Sequence, residues 1–376
     1  MWALGGAVAD DKIVNHRKAF SATLRSMARG VKLPETGECF DYHFEVASKE
    51  WAHWETCVKK YEPVAEVLYQ NIVISNVELE RMKHLLDLHV KRQKPMLLVG
   101  VAGTAKTTIT KDYLAEVKVN SDTMNSASIN LNSYTTSAAL QSIIVGCLEK
   151  RSGHTYGPPG RRKCILFVDD LNMPYVDDYD TQSAIMLLTQ VLSYGQVYDR
   201  ERLDEKKNIV DLLFTACMNP KAGSFMINGR LQRRFTVATT YSATASALHG
   251  IYTKILGRHL QGFGPQTQRC CEPIVNATAE ILASIQNSPA FLPSAEKFHY
   301  QFNLKDIANI FQGMLSTNGA VFRDASGSTR FLRVWLHELH RVFSDRLVLE
   351  SDAKELQAMI EKAQTRTARR AFCVSQ

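Results

Sequence analysis

The residues best placed to do chemistry lie in one run, Gly100-Val101-Ala102-Gly103-Thr104-Ala105-Lys106-Thr107. Its two glycines let the backbone curl so that successive N–H groups face one point, and a helix N-terminus follows them. Lys106 adds a positive charge that would reach the β- and γ-phosphates of a nucleotide, and the Thr107 hydroxyl would ligate Mg²⁺. This is a P-loop, and the ligand it implies is ATP with Mg²⁺. The run departs from G-x-x-x-x-G-K-[ST] only at Ala105, where glycine is usual. Even when alanine is allowed there, average composition gives roughly a 3% chance of such a match in a chain this long. The alanine adds one methyl and is read as tolerated.

Three further stretches carry polar residues at the ends of apolar runs. Ile165-Leu166-Phe167-Val168 ends in Asp169-Asp170. The first carboxylate would hold Mg²⁺ through water and the second would orient the attacking water. Asp170 is one methylene shorter than the glutamate common at such positions, roughly 1.3 Å less reach, which predicts slow hydrolysis with binding intact. Thr215-Ala216-Cys217-Met218 ends in Asn219-Pro220, so Asn219 is placed to touch a γ-phosphate, although Asn-Pro after a strand is otherwise a turn. Arg230-Leu231-Gln232-Arg233-Arg234 stands just before the apolar Phe235–Ala238.

The elements that would position these groups alternate. Strand-like runs Met96–Val99, Ser128–Leu131, Cys164–Val168, Leu212–Cys217 and Phe235–Ala238 are continuously apolar, as in parallel strands covered on both faces. Helical stretches Thr107–Val117, Ser137–Lys150 and Gln182–Ser193 separate them. Ahead of this core, Trp2 to Arg29 has helical spacing, Ile72–Ile74 reads as a short strand, and Ser75–Glu78 reads as a capping box opening a helix to about Arg92. After Ser242 the strand signals stop. Helices are expected at about Thr244–Gln261, Pro273–Ile285, Leu304–Met314, Thr329–Leu349 and Lys354–Ala368. The fold class is therefore α/β, a doubly wound parallel sheet followed by an all-helical lid.

Composition narrows the alternatives. The 376 residues are 45% hydrophobic and 22% charged, with a net charge of +7, an ordinary globular balance. The basic residues are interleaved with acidic ones, the tight knots being Arg161-Arg162-Lys163, Arg233-Arg234 and Arg369-Arg370, so no nucleic-acid partner is expected. The eight cysteines form no C-x-x-C pair, which points to a reducing compartment with neither disulfides nor zinc. No signal peptide or membrane span is read, and a cytoplasmic setting is expected.

In this order, P-loop, paired carboxylates, strand-end Asn219, basic turn and helical lid resemble the AAA+ ATPases from roughly Val64 to Leu349. The resemblance implies a Walker B role for Asp169 and Asp170 and a sensor role for Asn219. Arg233, with Arg230 and Arg234 as open alternatives, would be an arginine finger serving a neighbouring module's nucleotide. Replicative minichromosome maintenance helicases also carry Ala-Lys in the P-loop.

Longer stretches are similar to dynein heavy chains: Phe167–Pro174, Tyr156–Gly160, Ala216–Phe225, Arg230–Phe235, His299–Asp306, Trp335–Glu338 with Arg341–Phe343, and the opening Trp2–Gly6. The chain resembles the third AAA+ module of an axonemal outer-arm β-type heavy chain, a stretch of a far longer protein. That implies residues 1–63 as the tail of the preceding module and a connector, 64–242 as the α/β core, 243–350 as the lid and 351–376 as a helical extension. It implies Lys305 as the sensor II contact, where the family usually has arginine; lysine keeps the charge but loses the planar fork. The implied function is ATP binding that regulates a six-module motor ring, in the cytoskeleton of the ciliary axoneme. The implied partners are the neighbouring modules and, through the full motor, intermediate and light chains and microtubules, with no membrane. The alternatives are a structural ring module with a decayed site and a free-standing AAA+ remodelling ATPase.

Overall fold

Alternating side chains explain why the core strands look apolar throughout. In a strand, successive residues point to opposite faces, and in the central strands of the main sheet both faces are covered. The computed structural model describes residues 7–372 apart from 10–11, 15–16, 29, 31–32, 47, 62–68, 70–71, 221–226, 241–242 and 325. Trp2–Gly6, the segment Lys221–Phe225 and Cys373 lie outside the described residues.

Two compact units are present, one of residues 1–59 and 77–241, the other of 60–76 and 242–376. The first opens with an antiparallel hairpin, β1 (Ala7–Ala9) and β2 (Lys12–Val14), and then α1 (Arg17–Met27). The helix expected from Trp2 onward is therefore replaced over its first half by strands. A second hairpin, β3 (Tyr42–Glu45) and β4 (Glu50–His53), precedes α2 (Val77–Lys91).

The core follows as β5 (Met96–Val99), α3 (Lys106–Asn120), β6 (Met124–Asn130), α4 (Ser137–Gly146), β7 (Glu149–Ser152), β8 (Thr155–Gly157) and β9 (Lys163–Asp169). It continues with α5 (Ser183–Tyr194), β10 (Gln196–Tyr198), β11 (Lys206–Ile209), β12 (Leu212–Met218), a short helix α6 (Gly229–Gln232) and β13 (Thr236–Thr239). The main sheet has the order β13-β5-β12-β9-β6, all parallel. Leu97, Leu166, Val168, Phe214 and Ala216 pack with α4 and α5 on one face. On the opposite face Cys217 meets Thr110 of α3.

A four-stranded sheet, β10-β11-β8-β7, was not foreseen from the sequence. It shortens the helix expected over Ser137–Lys150. α4 stops at Gly146, and Glu149 onward pairs with Thr155–Gly157 across a turn at Gly153, whose φ is +51°.

The second unit is helical among its described residues: α7 (Ala245–His259), α8 (Pro265–Gln268), α9 (Cys271–Asn287), α10 (Leu304–Leu315), α11 (Gly327–Leu339) and α12 (Glu350–Phe372). Trp335, Phe343, Ile310 and Ile274 are fully buried at its centre. The Trp335 indole N–H donates to Thr278 Oγ1 at 2.9 Å. The helix expected to reach Leu349 ends at Leu339, and a π-turn follows over His340–Ser344. Ile72–Ile74 forms no strand; Ile74 is 5% exposed and belongs to this helical core. Leu356, Ile360 and Ala363 of α12 are buried in the same core, which makes the C-terminal helix part of the unit.

Candidate nucleotide-binding site

The P-loop, Asp169, Asp170 and Asn219 are all delivered at the carboxyl edge of the main sheet. β5 ends at Val99 and the P-loop follows, closed by α3, whose first residue is Lys106. Each neighbour of β5 holds the loop. On one side the Gly100 N–H donates to Met218 O at 3.2 Å; on the other the Thr240 N–H donates to Val99 O at 2.8 Å. A Cβ on Gly100 would lie 2.3 Å from Thr240 Oγ1, 2.6 Å from Thr240 O and 2.8 Å from Thr104 Oγ1. Only glycine fits this close approach. Gly103 has φ +83°.

Ala105 is the surprise within the motif. It caps α3 with φ +58° and ψ +17°, the left-handed region, and provides no side-chain cap. For an alanine this conformation costs about 1 kcal/mol relative to glycine. The departure from the motif is therefore a matter of backbone, beyond the size of a methyl.

Lys106 Nζ donates to Gly100 O at 2.7 Å, Val101 O at 2.8 Å and Thr104 Oγ1 at 3.3 Å. The ammonium thus lies inside the curl of the loop. Thr107 Oγ1 donates to Asp169 Oδ1 at 3.1 Å, joining residues 62 apart in the chain. Asp169 is 7% exposed and also accepts the Asp170 N–H at 3.2 Å. A hydroxyl and a carboxylate side by side are the hard oxygen donors that Mg²⁺ takes, so the residues present fit that ion.

Asp170 is exposed with φ +52°, a conformation that aspartate tolerates better than most side chains. Asn219 follows β12, the strand between those of the P-loop and Asp169. Its carbonyl accepts the Asn172 side-chain N–H at 3.0 Å. Asn172 is 2% exposed and ties the two strand ends together. Beneath the loop, burial pushes the Cys217 thiol up to about 12, with the Thr110 hydroxyl opposing and Asp169 adding to the rise. It stays a neutral thiol and offers no nucleophile.

The three predicted arginines are not brought to this place. Arg230, Arg233 and Arg234 flank or lie in α6, which leads into β13; Thr236 N donates to Pro95 O, so these arginines stand at the amino edge of the sheet. All three are exposed and make no side-chain hydrogen bond or ion pair with another described residue. Lys305 is an exposed residue at the start of α10 in the second unit, where Asn303 Oδ1 accepts its N–H at 2.8 Å. The sequence reading missed Thr240, Thr110 and Asn172. Each is a single polar residue in or beside an apolar run, and only a long-range contact gives it meaning.

Three family models match the chain: the P-loop containing dynein motor region over residues 61–243, the AAA+ lid domain over 276–373, and the dynein heavy chain AAA lid domain over 1–56. Dynein axonemal heavy chain 11 of Sus scrofa is 37% identical over 366 residues, 96% of this chain.

The chain belongs to the dynein heavy-chain family.

The dynein beta chain of the flagellar outer arm of Chlamydomonas reinhardtii is 37% identical over 94% of this chain, and the ciliary dynein beta chain of Tripneustes gratilla is 36% identical over 96%. The chain spans 8% of the length of these relatives. The α/β core with its P-loop is thus a dynein motor AAA+ module, followed by AAA+ lid sequence, and the first residues match the lid that dynein heavy chains carry. No described helix is long and apolar enough to cross a membrane.

Proposed function

We propose that this dynein module binds ATP with Mg²⁺ and hydrolyses it slowly, regulating the motor ring of a longer heavy chain. The hydrogen bond from Thr107 to Asp169 carries the reading, because it sets the two Mg²⁺-type donors side by side next to a lysine-bearing loop. Gly100–Thr107 would cradle the phosphates, Lys106 would neutralise them, and Thr107 and Asp169 would hold Mg²⁺, which supplies further charge neutralisation when bound. Asp170 would orient water, Asn219 would sense the γ-phosphate and Lys305 would add a contact from the lid. Arg233 would serve a neighbouring module.

The resemblances favour the third module of an axonemal outer-arm β-type chain, working in the ciliary or flagellar axoneme. Its partners would be the adjacent modules and, through the full motor, intermediate and light chains and microtubules. The second reading, a structural module with a decayed site, draws on the left-handed Ala105 and on Asp170 in place of glutamate.

The test is a titration of the purified chain with a fluorescent ATP analogue, with and without Mg²⁺, beside Lys106→Ala and Asp170→Asn. Mg²⁺-dependent binding is expected in the parent and in Asp170→Asn and is lost in Lys106→Ala. Turnover is expected to be weak in the parent and absent in Asp170→Asn. Equal affinity of parent and Lys106→Ala would end the ATP-binding reading.

A further inference from the structure

Thr240 is the residue after β13 and belongs to no motif, yet it touches two residues of the P-loop and the last residue of β5 before it. Its N–H donates to Val99 O at 2.8 Å, its hydroxyl lies 3.0 Å from that of Thr104, and its Oγ1 and carbonyl block any Cβ on Gly100. Thr240 and Thr104 are 7% and 5% exposed, so these contacts are shielded from water.

Distances favour one direction for the hydroxyl pair. A threonine hydroxyl has one proton and two lone pairs. Thr104 gives its proton to Val101 O at 2.9 Å. Its oxygen then accepts from Lys106 Nζ at 3.3 Å and from Thr240 at 3.0 Å. Thr240's other acceptor, Val99 O, is farther away at 3.4 Å. The Thr104 oxygen is thereby saturated, and a continuous chain of hydrogen bonds runs from Thr240 through Thr104 to the lysine.

We propose that Thr240 is a positioning residue for the P-loop, holding Thr104 and through it Lys106 in the geometry that receives phosphates. The proposal rests on the ATP-binding reading above and adds to it a residue outside the motif. The first unit ends at Tyr241 and the second resumes at Ser242. Thr240 is therefore the point at which the chain passing between the units is tied to the phosphate loop.

The test compares Thr240→Val, which keeps the shape and removes the hydroxyl, with Thr240→Ser, which keeps the hydroxyl. Lys106→Ala serves as the reference. Affinity for a fluorescent ATP analogue with Mg²⁺ and the thermal midpoint without nucleotide are measured on the whole chain. The expected result is about a tenfold rise in Kd for Thr240→Val, the loss of one hydrogen bond, and less than twofold for Thr240→Ser. The midpoint is expected to fall slightly for Thr240→Val, by the one buried hydrogen bond lost, and to stay with the parent for Thr240→Ser.

Parent-like affinity in Thr240→Val, with binding lost in Lys106→Ala, overturns this proposal alone. An equal loss in the serine and valine variants also overturns it, because packing and not the hydroxyl would then be at work. Parent-like affinity in Lys106→Ala would overturn both this proposal and the ATP-binding reading.

Discussion

The two edges of the main sheet hold opposite kinds of polar residue. At the carboxyl edge, Thr104, Asp169, Asn172 and Thr240 are all under 8% exposed, and each has a hydrogen-bonded side chain. At the amino edge, Arg230, Arg233 and Arg234 stand in solvent with no described partner. Burying a polar group costs free energy unless its hydrogen bonds are replaced. A module that shapes a site for its own ligand must therefore build internal partners. Charges presented to something outside the module need none. On this contrast, damage to the carboxyl edge costs both stability and affinity, and damage to the amino edge costs neither.

Gly100→Ala tests the contrast with the largest effect. The new Cβ meets Thr240 Oγ1, Thr240 O and Thr104 Oγ1 at 2.3 to 2.8 Å, and one of the three is backbone. Overpacking of this kind costs about 2–3 kcal/mol. The thermal midpoint should fall, and nucleotide affinity should fall by roughly a hundredfold or more as the loop is displaced. A variant with parent-like midpoint and affinity would show that the loop is looser than its contacts imply.

The amino half of the same unit holds buried charges too, Arg81 and Lys83 of α2 among its described residues. Lys83 of α2, whose side chain is 8% exposed, is ion-paired with Asp112 and lies 3.0 Å from Glu116 of α3, which Lys59 also meets at 2.7 Å. Burial alone would lower the Lys83 pKa, but its hydrogen bonds to the two carboxylates leave it raised above 10.5. Burial likewise opposes, and the two lysines outweigh it, so Glu116 lies below 4.5. The contribution of Glu116 is thus present above pH 4.5 and is lost as pH falls through its depressed pKa. That of Lys83 holds up to pH 10.5 and is lost only as pH rises through its raised one. Lys83→Met is expected to cost about 1–2 kcal/mol at neutral pH, discounted because both carboxylates are partly exposed. Denaturant melts at several pH values would also show a smaller acid loss below pH 4.5 than in the parent. Unchanged stability would show that this pairing acts as a surface pair.

The sequence made the carboxyl edge legible where chemistry and local pattern coincide. β5 has the expected limits, Met96–Val99, and β9 and β12 differ from expectation by a residue or two, because strands covered on both faces must be continuously apolar. The P-loop and Asp169 were legible for the same reason, since each ends such a run. What failed depends on distant partners. Glu149 and Lys150 read as the end of a helix because the pairing of their strand with Thr155–Gly157, and through that strand with Lys206–Ile209, leaves no local period. Ile72–Ile74 has strand-like side chains and no strand to join. Thr240 and Asn172 sit in stretches that look like any strand end or loop.

Ala105 shows the limit at a single residue. The sequence gives its methyl, and only the fold gives its φ of +58°. Ala105→Gly is expected to stabilise the unit by about 1 kcal/mol, the left-handed cost of a Cβ, less a few tenths for the freer unfolded chain. Affinity for the fluorescent ATP analogue should hold or improve slightly. A lower midpoint would mean that the alanine methyl contributes packing that outweighs its strain.

The smallest effect belongs to the arginines, and it is the one that would most directly overturn the comparison. Substituting Arg230, Arg233 or Arg234 singly by alanine removes an exposed charge with no described partner, a change expected to stay within about 0.5 kcal/mol of the parent. The chain's own nucleotide affinity should change by less than twofold, since α6 precedes β13 while the P-loop follows β5, its parallel neighbour, at the other end. Four residues of strand, about 13 Å at the usual rise, separate the two edges. Titration of each variant with the same ATP analogue checks this. A tenfold loss in any of them would bring that arginine to the chain's own site, and the division between a self-contained edge and an outward-facing one would no longer hold.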